Sequence, residues 1–353
     1  MEPSQESRNA SERVKIGFFG VGTVATAALS LCRQRPWMDV VGAVRRSAPA
    51  AGGQRPRPGS WRGVRVWSDP EGMLDEARPD VALVATQSEI ESVLPLVEHC
   101  ARRGVHVIST SEELAWPDVE RPGTGASLQR AAEEAGVAIA ATGINPGFAF
   151  DVLPLMLAGA AWDVSRIVVQ RTLDASVFGQ DVHRSLGVGY IEAEFRRAVR
   201  SRRVRGHIGF AESARIIADG MGLEIERFEE EIEPVVADRV HVLAGYTIEP
   251  PETAGVVQLA TAMVGGREWL RFELSLHVAP EAVGWETCDR IRIHGENELN
   301  LTIEPGMPAV STTAALLVNA VPAVLAAEPG FYPPARLVPN PPWLAEYPPP
   351  GAP

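Results

Sequence analysis

The chain has 353 residues, 45% hydrophobic and 22% charged, the balance of a folded protein too long for one core, so two domains are expected. A net charge of -12 repels nucleic acid and anionic lipid at long range and leaves small-molecule chemistry as the favoured class. Cys32, Cys100 and Cys288, odd in number and far apart, outline neither a disulfide framework nor a zinc knuckle.

Residues 1–12 read as a polar tail without the apolar segment of a secretory signal, which together with the cysteine usage points to the cytoplasm. From Val14 the order is a short apolar run (14–20), a helical stretch from Thr23 to Arg33 and a second run (38–45), a βαβ unit. After a Gly/Pro/Arg loop from Ala48 to Gly63 come the runs 79–86, 104–110 and 136–143, separated by helical stretches at Glu89–Arg103 and Ala126–Ala135. Runs apolar on both faces and separated by helices imply a doubly wound parallel sheet, an α/β domain over 13–145.

The pattern then changes. RIVVQRTLDAS, EIERFEEEIEPVV, VVQLATAMV and WLRFELSLHVA alternate in part, as strands with one wet face do. A C-terminal α+β domain with a mainly antiparallel or mixed sheet is expected over 146–330, for substrate binding and dimerisation. A late helix, 311–327, is expected to pack at the domain junction. Its apolar run from Ala314 to Ala327 is broken by Asn319 and Pro322 and reads as a buried helix rather than a membrane span. Residues 331–353 read as a proline-rich tail.

Gly20-Val21-Gly22-Thr23-Val24-Ala25 is a GxGxxA turn between strand and helix. Gly20 permits the turn, Gly22 lets the backbone approach a pyrophosphate, and Ala25 allows close helix packing, with the helix N-terminus facing the phosphates. The end of the second strand reads Val44-Arg45-Arg46-Ser47, without the carboxylate that holds a ribose 2′-hydroxyl. Arg45, Arg46 and Ser47 suit a 2′-phosphate, so NADP is the expected cofactor and NAD the alternative.

Ligands of open parallel sheets lie beyond the carboxyl ends of the strands. Those ends carry Thr86-Gln87-Ser88, Thr110-Ser111-Glu112-Glu113 and Thr142-Gly143-Ile144-Asn145-Pro146-Gly147-Phe148. Thr23, Val24, Thr86, Gln87, Ser111 and Asn145 are cofactor candidates. Glu112 and Glu113 are candidate catalytic carboxylates, Glu112 the better placed; the competing reading has both serving a helix N-terminus. No HExxH-type spacing assigns a metal, and no GxSxG or Cys/His pair suggests covalent catalysis.

With VGAV, ATQS, HVISTSEELAWP, TGINPGF, DAS, GVG, GHIGFAESARIIADGMG and STTAALLVNAVPAVL in series, the chain from about 14 to 338 resembles the 2,4-diaminopentanoate dehydrogenase family. That family includes the native amine dehydrogenases and belongs to the wider dihydrodipicolinate-reductase-like group. The resemblance implies reversible NAD(P)-dependent oxidative deamination of a small amine, or reductive amination of a ketone or aldehyde with ammonia. It implies a glutamate of the Glu112-Glu113 pair as the catalytic carboxylate, an active site in the cleft between domains and a homodimer. It also implies a substrate pocket drawn from Ile144, Phe148, Arg171, Asp174, His207, Thr312 and Thr313, although His207 and the threonines also read as structural or capping groups.

One departure stands out. After DAS, Val177 to Arg184 keeps only His183 and Arg184 where the family pattern carries basic pairs, so a neutral amine or ketone is the expected substrate rather than an amino acid. The arginine-rich segment 196–205 reads as a solvated helix face paired with the acidic run Glu224 to Glu233. An imine or carbonyl reductase without free ammonia, and an inactive NADP-binding regulator, are the alternative readings.

Overall fold

The computed structural model describes residues 13–45 and 60–337, with the side chain of Asp181 left undescribed; Arg46, Ser47, the 1–12 tail and the tail beyond 337 lie outside them. The chain divides into two compact units, one from residues up to Phe148 together with those from Ala309, the other Ala149–Pro308.

The first unit holds a seven-stranded parallel sheet. Its first strands are β1 (Val14–Phe19), β2 (Met38–Val44), β3 (Val66–Trp67) and β4 (Val81–Val84), followed by β5 (His106–Ser109), β6 (Ala138–Ala141) and β15 (Gly330–Tyr332). The order is β15-β6-β5-β4-β1-β2-β3, every pair parallel. β4 and β6 are buried at every position, which is why they read as unbroken apolar runs. The crossover helices are α1 (Thr23–Cys32), α2 (Pro70–Ala77), α3 (Ile90–Ala101) and α4 (Thr124–Ala135). Asp69 caps α2 by accepting the Gly72 N–H at 2.7 Å, and Pro70 opens its first turn.

The second unit carries α5 (Val152–Ala158), α6 (Gln180–Ser185), α7 (Glu192–Arg200) and α8 (Phe210–Gly220). Its strands are β7 (Arg166–Asp174), β8 (Arg227–Val236), β11 (Thr253–Val264), β12 (Arg267–His277), β13 (Cys288–His294) and β14 (Leu299–Ile303). They form a mixed sheet, β14-β13-β7-β12-β11-β8, in which β7–β12 is the one parallel pair. A separate hairpin pairs β9 (His241–Leu243) with β10 (Tyr246–Ile248). Phe150, Phe210 and Phe272 pack with ring centroids 5.0 to 5.4 Å apart at the centre of this core.

The domain limits differ from the sequence expectation at the C-terminal side. Residues 309–330 were expected in the second domain, but α9 (Ala309–Asn319), α10 (Val321–Ala326) and β15 belong to the first unit. By length and composition Ala309–Ala326 would pass for a membrane span. Here Ala314, Leu317, Val318, Val321 and Val324 are buried in the core that includes α1, β1 and β4. Arg35 fastens the return, its Nη2 donating to Asn319 Oδ1 at 2.8 Å. Phe331 and Tyr332, expected in the proline tail, form a parallel edge strand with Gly330 instead. Gly330 N–H donates to the Val137 carbonyl at 3.0 Å and Phe331 N–H to Gln129 Oε1 at 2.8 Å. Three residues before a Pro-Pro pair carry too little periodicity to be read as a strand. Because α9 fills the core made by the first strands, Leu317→Ala should lower the stability of the first unit by about 2 to 5 kcal/mol, measured by denaturant unfolding.

Candidate active site

Parallel pairing brings the strand ends to one edge. Gly20 N–H donates to the Val44 carbonyl at 3.0 Å, Ala85 N–H to Phe19 at 2.8 Å, Thr110 N–H to Val84 at 2.9 Å and Thr142 N–H to Ser109 at 2.9 Å. Gly20 has φ +106°, and a Cβ there would lie 2.2 Å from the Ala85 carbonyl oxygen, so only glycine makes this turn. Gly22, the N-cap of α1, is different. Its φ is -73° and a Cβ would meet nothing within 4 Å, while α1 has no side-chain cap and no acidic residue in its first turn. That open space before a helix N-terminus fits a pyrophosphate. Val21 and Ala25 are buried, Val24 is half-buried, and Thr23 and Thr86 are exposed at the same edge. Arg45 is exposed at the end of β2, its N–H donating to the Trp67 carbonyl at 2.9 Å.

The two glutamates after β5 have separate tasks. Glu113 is 4% exposed and its Oε2 accepts the Ile90 N–H at 2.8 Å, so this carboxylate serves the N-terminus of α3. Glu113, expected beside Glu112 as a candidate catalytic group, thus has one carboxylate oxygen engaged by a backbone N–H. Glu112 is half-buried. Burial pushes its carboxyl up to about 7, against hydrogen bonds from its own N–H and the Ser88 hydroxyl, with Glu89 and Glu113 adding repulsion. Ser111, expected as a cofactor group, is 3% exposed and its Oγ donates to the Ser88 carbonyl at 2.7 Å. It braces two loops.

The segment 142–148 turns sharply beside α9. Ile144 is buried and its N–H donates to Thr313 Oγ1 at 3.3 Å, while Asn145, Phe148 and Thr312 are half-buried and Gln87 lies half-buried after β4. Thr312 and Thr313 stand inside α9 rather than at its N-cap. Both belong to the first unit with Ile144.

In the second unit Arg171 is 1% exposed. Its Nε donates to Asp289 Oδ1 at 2.5 Å and its Nη2 to the Met307 carbonyl at 2.8 Å, while Asp289 Oδ2 accepts the Met307 N–H at 2.7 Å. Arg171, expected as a substrate group, thus has its Nε and Nη2 engaged within the second unit, by a carboxylate and a backbone carbonyl. Asp174 is likewise used locally, accepting the Ser176 N–H at 2.8 Å. His183 is buried between the Tyr246 hydroxyl and the Ala175 carbonyl, and Arg184 is exposed. Arg196 pairs with Glu192 and with Glu233, each at 2.9 Å, as a solvated face paired with the acidic run would.

His207 stacks against Phe150 at 6.2 Å and meets Phe210 edge-on at 5.0 Å. Burial, and then Arg171, hold its imidazole down to about 3, so it is neutral. Its Nε2 is buried without a partner among the described residues. Gln258 anchors the backbone of His207, Oε1 accepting its N–H at 2.7 Å and Nε2 donating to its carbonyl at 2.9 Å and to Glu230 at 2.6 Å. Sequence reading passed over Gln258 and Asp289. Gln258 is a polar residue on the buried side of an apolar strand, the signal that would have marked it.

Fold and turn together define a nicotinamide-dependent oxidoreductase with a Rossmann unit and a mixed-sheet unit. The 2,4-diaminopentanoate dehydrogenase C-terminal domain family matches residues 148–340, more than half of the chain, and the protein belongs to that family. 2,4-Diaminopentanoate dehydrogenase of Acetoanaerobium sticklandii is 28% identical over 325 residues, 91% of this chain and 92% of the relative. An amine dehydrogenase of Streptomyces virginiae is 23% identical over 300 residues, 76% of this chain and 80% of its own. The amine dehydrogenase structure from Mycobacterium smegmatis shares the fold with a TM-score of 0.80 at 23% identity, over 93% of this chain and 97% of that one.

Two substitutions separate turn from ligand. Gly22→Ala should cost no more than about 1 kcal/mol of stability yet weaken dinucleotide binding about tenfold or more, whereas Gly20→Ala should destabilise the unit by about 2 kcal/mol or more; calorimetric titration and thermal melting read both. Asp289→Ala, which strands the Arg171 guanidinium, should cost about 3 to 5 kcal/mol in denaturant unfolding.

Proposed function

We propose that the protein is an NAD(P)-dependent amine dehydrogenase that interconverts a small neutral amine with its ketone or aldehyde and ammonia, Glu112 acting as the catalytic carboxylate. The observation that carries this reading is the Glu112 carboxyl at the C-terminal end of β5. Along the sheet edge β4 lies between β5 and the β1 turn, a lateral distance of roughly 10 Å, which suits the reactive end of a dinucleotide whose pyrophosphate sits at Gly22. The likeness to a 2,4-diaminopentanoate dehydrogenase and to an amine dehydrogenase supports the amine chemistry.

The nicotinamide supplies the hydride acceptor for deamination and the donor for amination. In deamination the ionised Glu112 holds the substrate ammonium and takes its proton, which frees the nitrogen lone pair that drives hydride departure from the neighbouring carbon. Once Glu112 has passed that proton to solvent, its carboxylate stabilises the resulting iminium. Water then adds to the iminium carbon, and proton transfers through Glu112 release carbonyl and ammonia. The balance is amine, water and oxidised cofactor giving carbonyl, ammonia, reduced cofactor and a proton.

A neutral substrate is supported by the second unit. Arg171 and His183 are engaged by the chain itself, and His207 is uncharged, so none of these three offers a cation to a substrate carboxylate. A kinetic panel in which turnover requires a substrate carboxylate would overturn this part. NADP is the proposed cofactor on the exposed Arg45 and the neighbouring Arg46 and Ser47, with NAD used less well. The protein is further proposed to be a cytoplasmic homodimer: all three cysteines are unpaired and buried, and Val177, Val236, Val240 and Val242 expose apolar surface suited to a second copy. Light scattering in solution checks the dimer.

The deciding experiment follows NADPH and NADH consumption with small ketones and aldehydes, with and without high ammonium. Ammonium-dependent turnover that Glu112→Gln lowers by about a hundredfold or more is expected. Ammonium-independent turnover would instead indicate an imine or carbonyl reductase, and NADP binding without turnover a regulator.

The carboxyl of Glu112, held up to about 7, makes deamination rise with pH through about 7, a limb that Glu112→Gln abolishes. The stability effect has the opposite direction. The folded state keeps the proton that an unfolded glutamate releases near its ordinary 4.5, so stability falls as pH rises from 4.5 to 7. Above pH 7 Glu112→Gln should melt higher than the parent by about 1 to 3 kcal/mol, the gap closing below pH 4.5.

A further inference from the structure

The arginine-rich segment after α7 and the exposed valines of the second unit take no part in the steps above, and they lie together. Ile191, Ala193, Val236 and Pro251 line an open hollow of about 500 Å³. Ile191 precedes α7 and Val236 ends β8, while farther along each element Arg196 reaches Glu233 at 2.9 Å. Helix and strand therefore run antiparallel, and beyond the Arg196–Glu233 pair two charged strips continue side by side. One holds the exposed Arg200, Arg202 and Arg203, which make no ion pair among the described residues. The other holds the exposed Glu231 and Glu229, the latter 3.4 Å from Arg227.

Beside the hollow stands an arm. The Ala237 N–H donates to the Glu252 carbonyl at 2.8 Å, which closes the base of the β9–β10 hairpin next to Val236 and Pro251. β9 and β10 form a sheet of their own. His241 and Ile248 of this arm are buried, whereas Val240 is exposed and Val242 is 81% exposed. Apolar side chains held out beside an apolar hollow mark a contact surface.

We propose that this face joins two copies of the chain about a twofold axis, the arm of each copy lying in the hollow of the other and the arginine strip of each lying over the glutamate strip of its partner. The face fits a second copy because its charges are complementary to themselves: with the axis running between the strips, a half-turn sets positive over negative twice. A chain of net charge -12 otherwise repels its own kind. β8 is the edge of the mixed sheet, and direct pairing of two β8 strands would set glutamate against glutamate. That leaves the partner's arginines as the groups β8 receives. Arm and hollow supply the dry centre of the contact and the charges its rim. This inference rests on the homodimer proposed above and names its contact.

Light scattering and analytical ultracentrifugation of the full chain read the dimer. Val242→Asp should raise its dissociation constant about a hundredfold or more, and so should Arg200→Glu together with Arg203→Glu. Glu229→Arg together with Glu231→Arg should act alike, whereas all four charge reversals in one chain should bring the constant back to within about tenfold of the parent's, since each strip again meets its opposite. These positions are exposed, and thermal melting checks that each variant is folded. Dimers unchanged in the Val242→Asp and charge-reversal variants overturn this contact and leave the homodimer standing. A chain with all four reversals that stays as weak as either pair overturns it too, because the strips then do not face each other. A parent chain that is monomeric throughout removes the homodimer itself, and this inference with it.

Discussion

The Gly20 N–H bonds to the Val44 carbonyl while the Ala85 N–H bonds to that of Phe19, and these two bonds complete the parallel ladder where three strands stop together. A parallel sheet places every strand's carboxyl end at the same edge, so each connecting turn opens where a ligand can collect its groups. The turn after β1 can pass there only because Gly20 has no side chain to meet the Ala85 backbone. Cofactor cradle, Thr86, Ser88 and Glu112 all inherit their places from that edge. Helices on both faces leave these strands little freedom of register, since a one-residue slip would drive apolar side chains out of a two-sided core.

Carboxylates and cations are treated differently in the two units. At the β5 end two adjacent glutamates differ in surroundings: Glu113 points back to the start of α3, while burial pushes the carboxyl of Glu112 up to about 7. In the second unit a buried arginine is neutralised by Asp289 and a backbone carbonyl, and a histidine is kept uncharged within phenylalanine rings.

Much of the first unit could be read directly from its residues. Continuous apolar runs such as VALV and AIAA announce strands covered on both sides, and a GxGxxA turn between strand and helix has one common physical use. The mixed sheet was legible more coarsely, because alternation marks a half-wet strand without saying which strand pairs with which. The return of α9 and β15 to the first unit was hidden. Ala314, Leu317 and Val318 display an apolar stripe, and a stripe does not name the surface it covers.

The partners of Glu113 and Arg171 were hidden for the same reason, although position after the strand already favoured Glu112 over Glu113. By itself the sequence determined the parallel α/β unit, the dinucleotide turn, a following unit with a half-wet sheet and the place of a carboxylate pair after the fifth strand, since these depend on residue types at short, regular spacings. Tertiary structure alone decided that Ile90 claims Glu113 and that Asp289 and Met307 enclose Arg171. Those partners stand from 23 to 136 residues away along the chain, and whether a polar group is offered to a ligand or occupied internally is settled by what the fold brings against it.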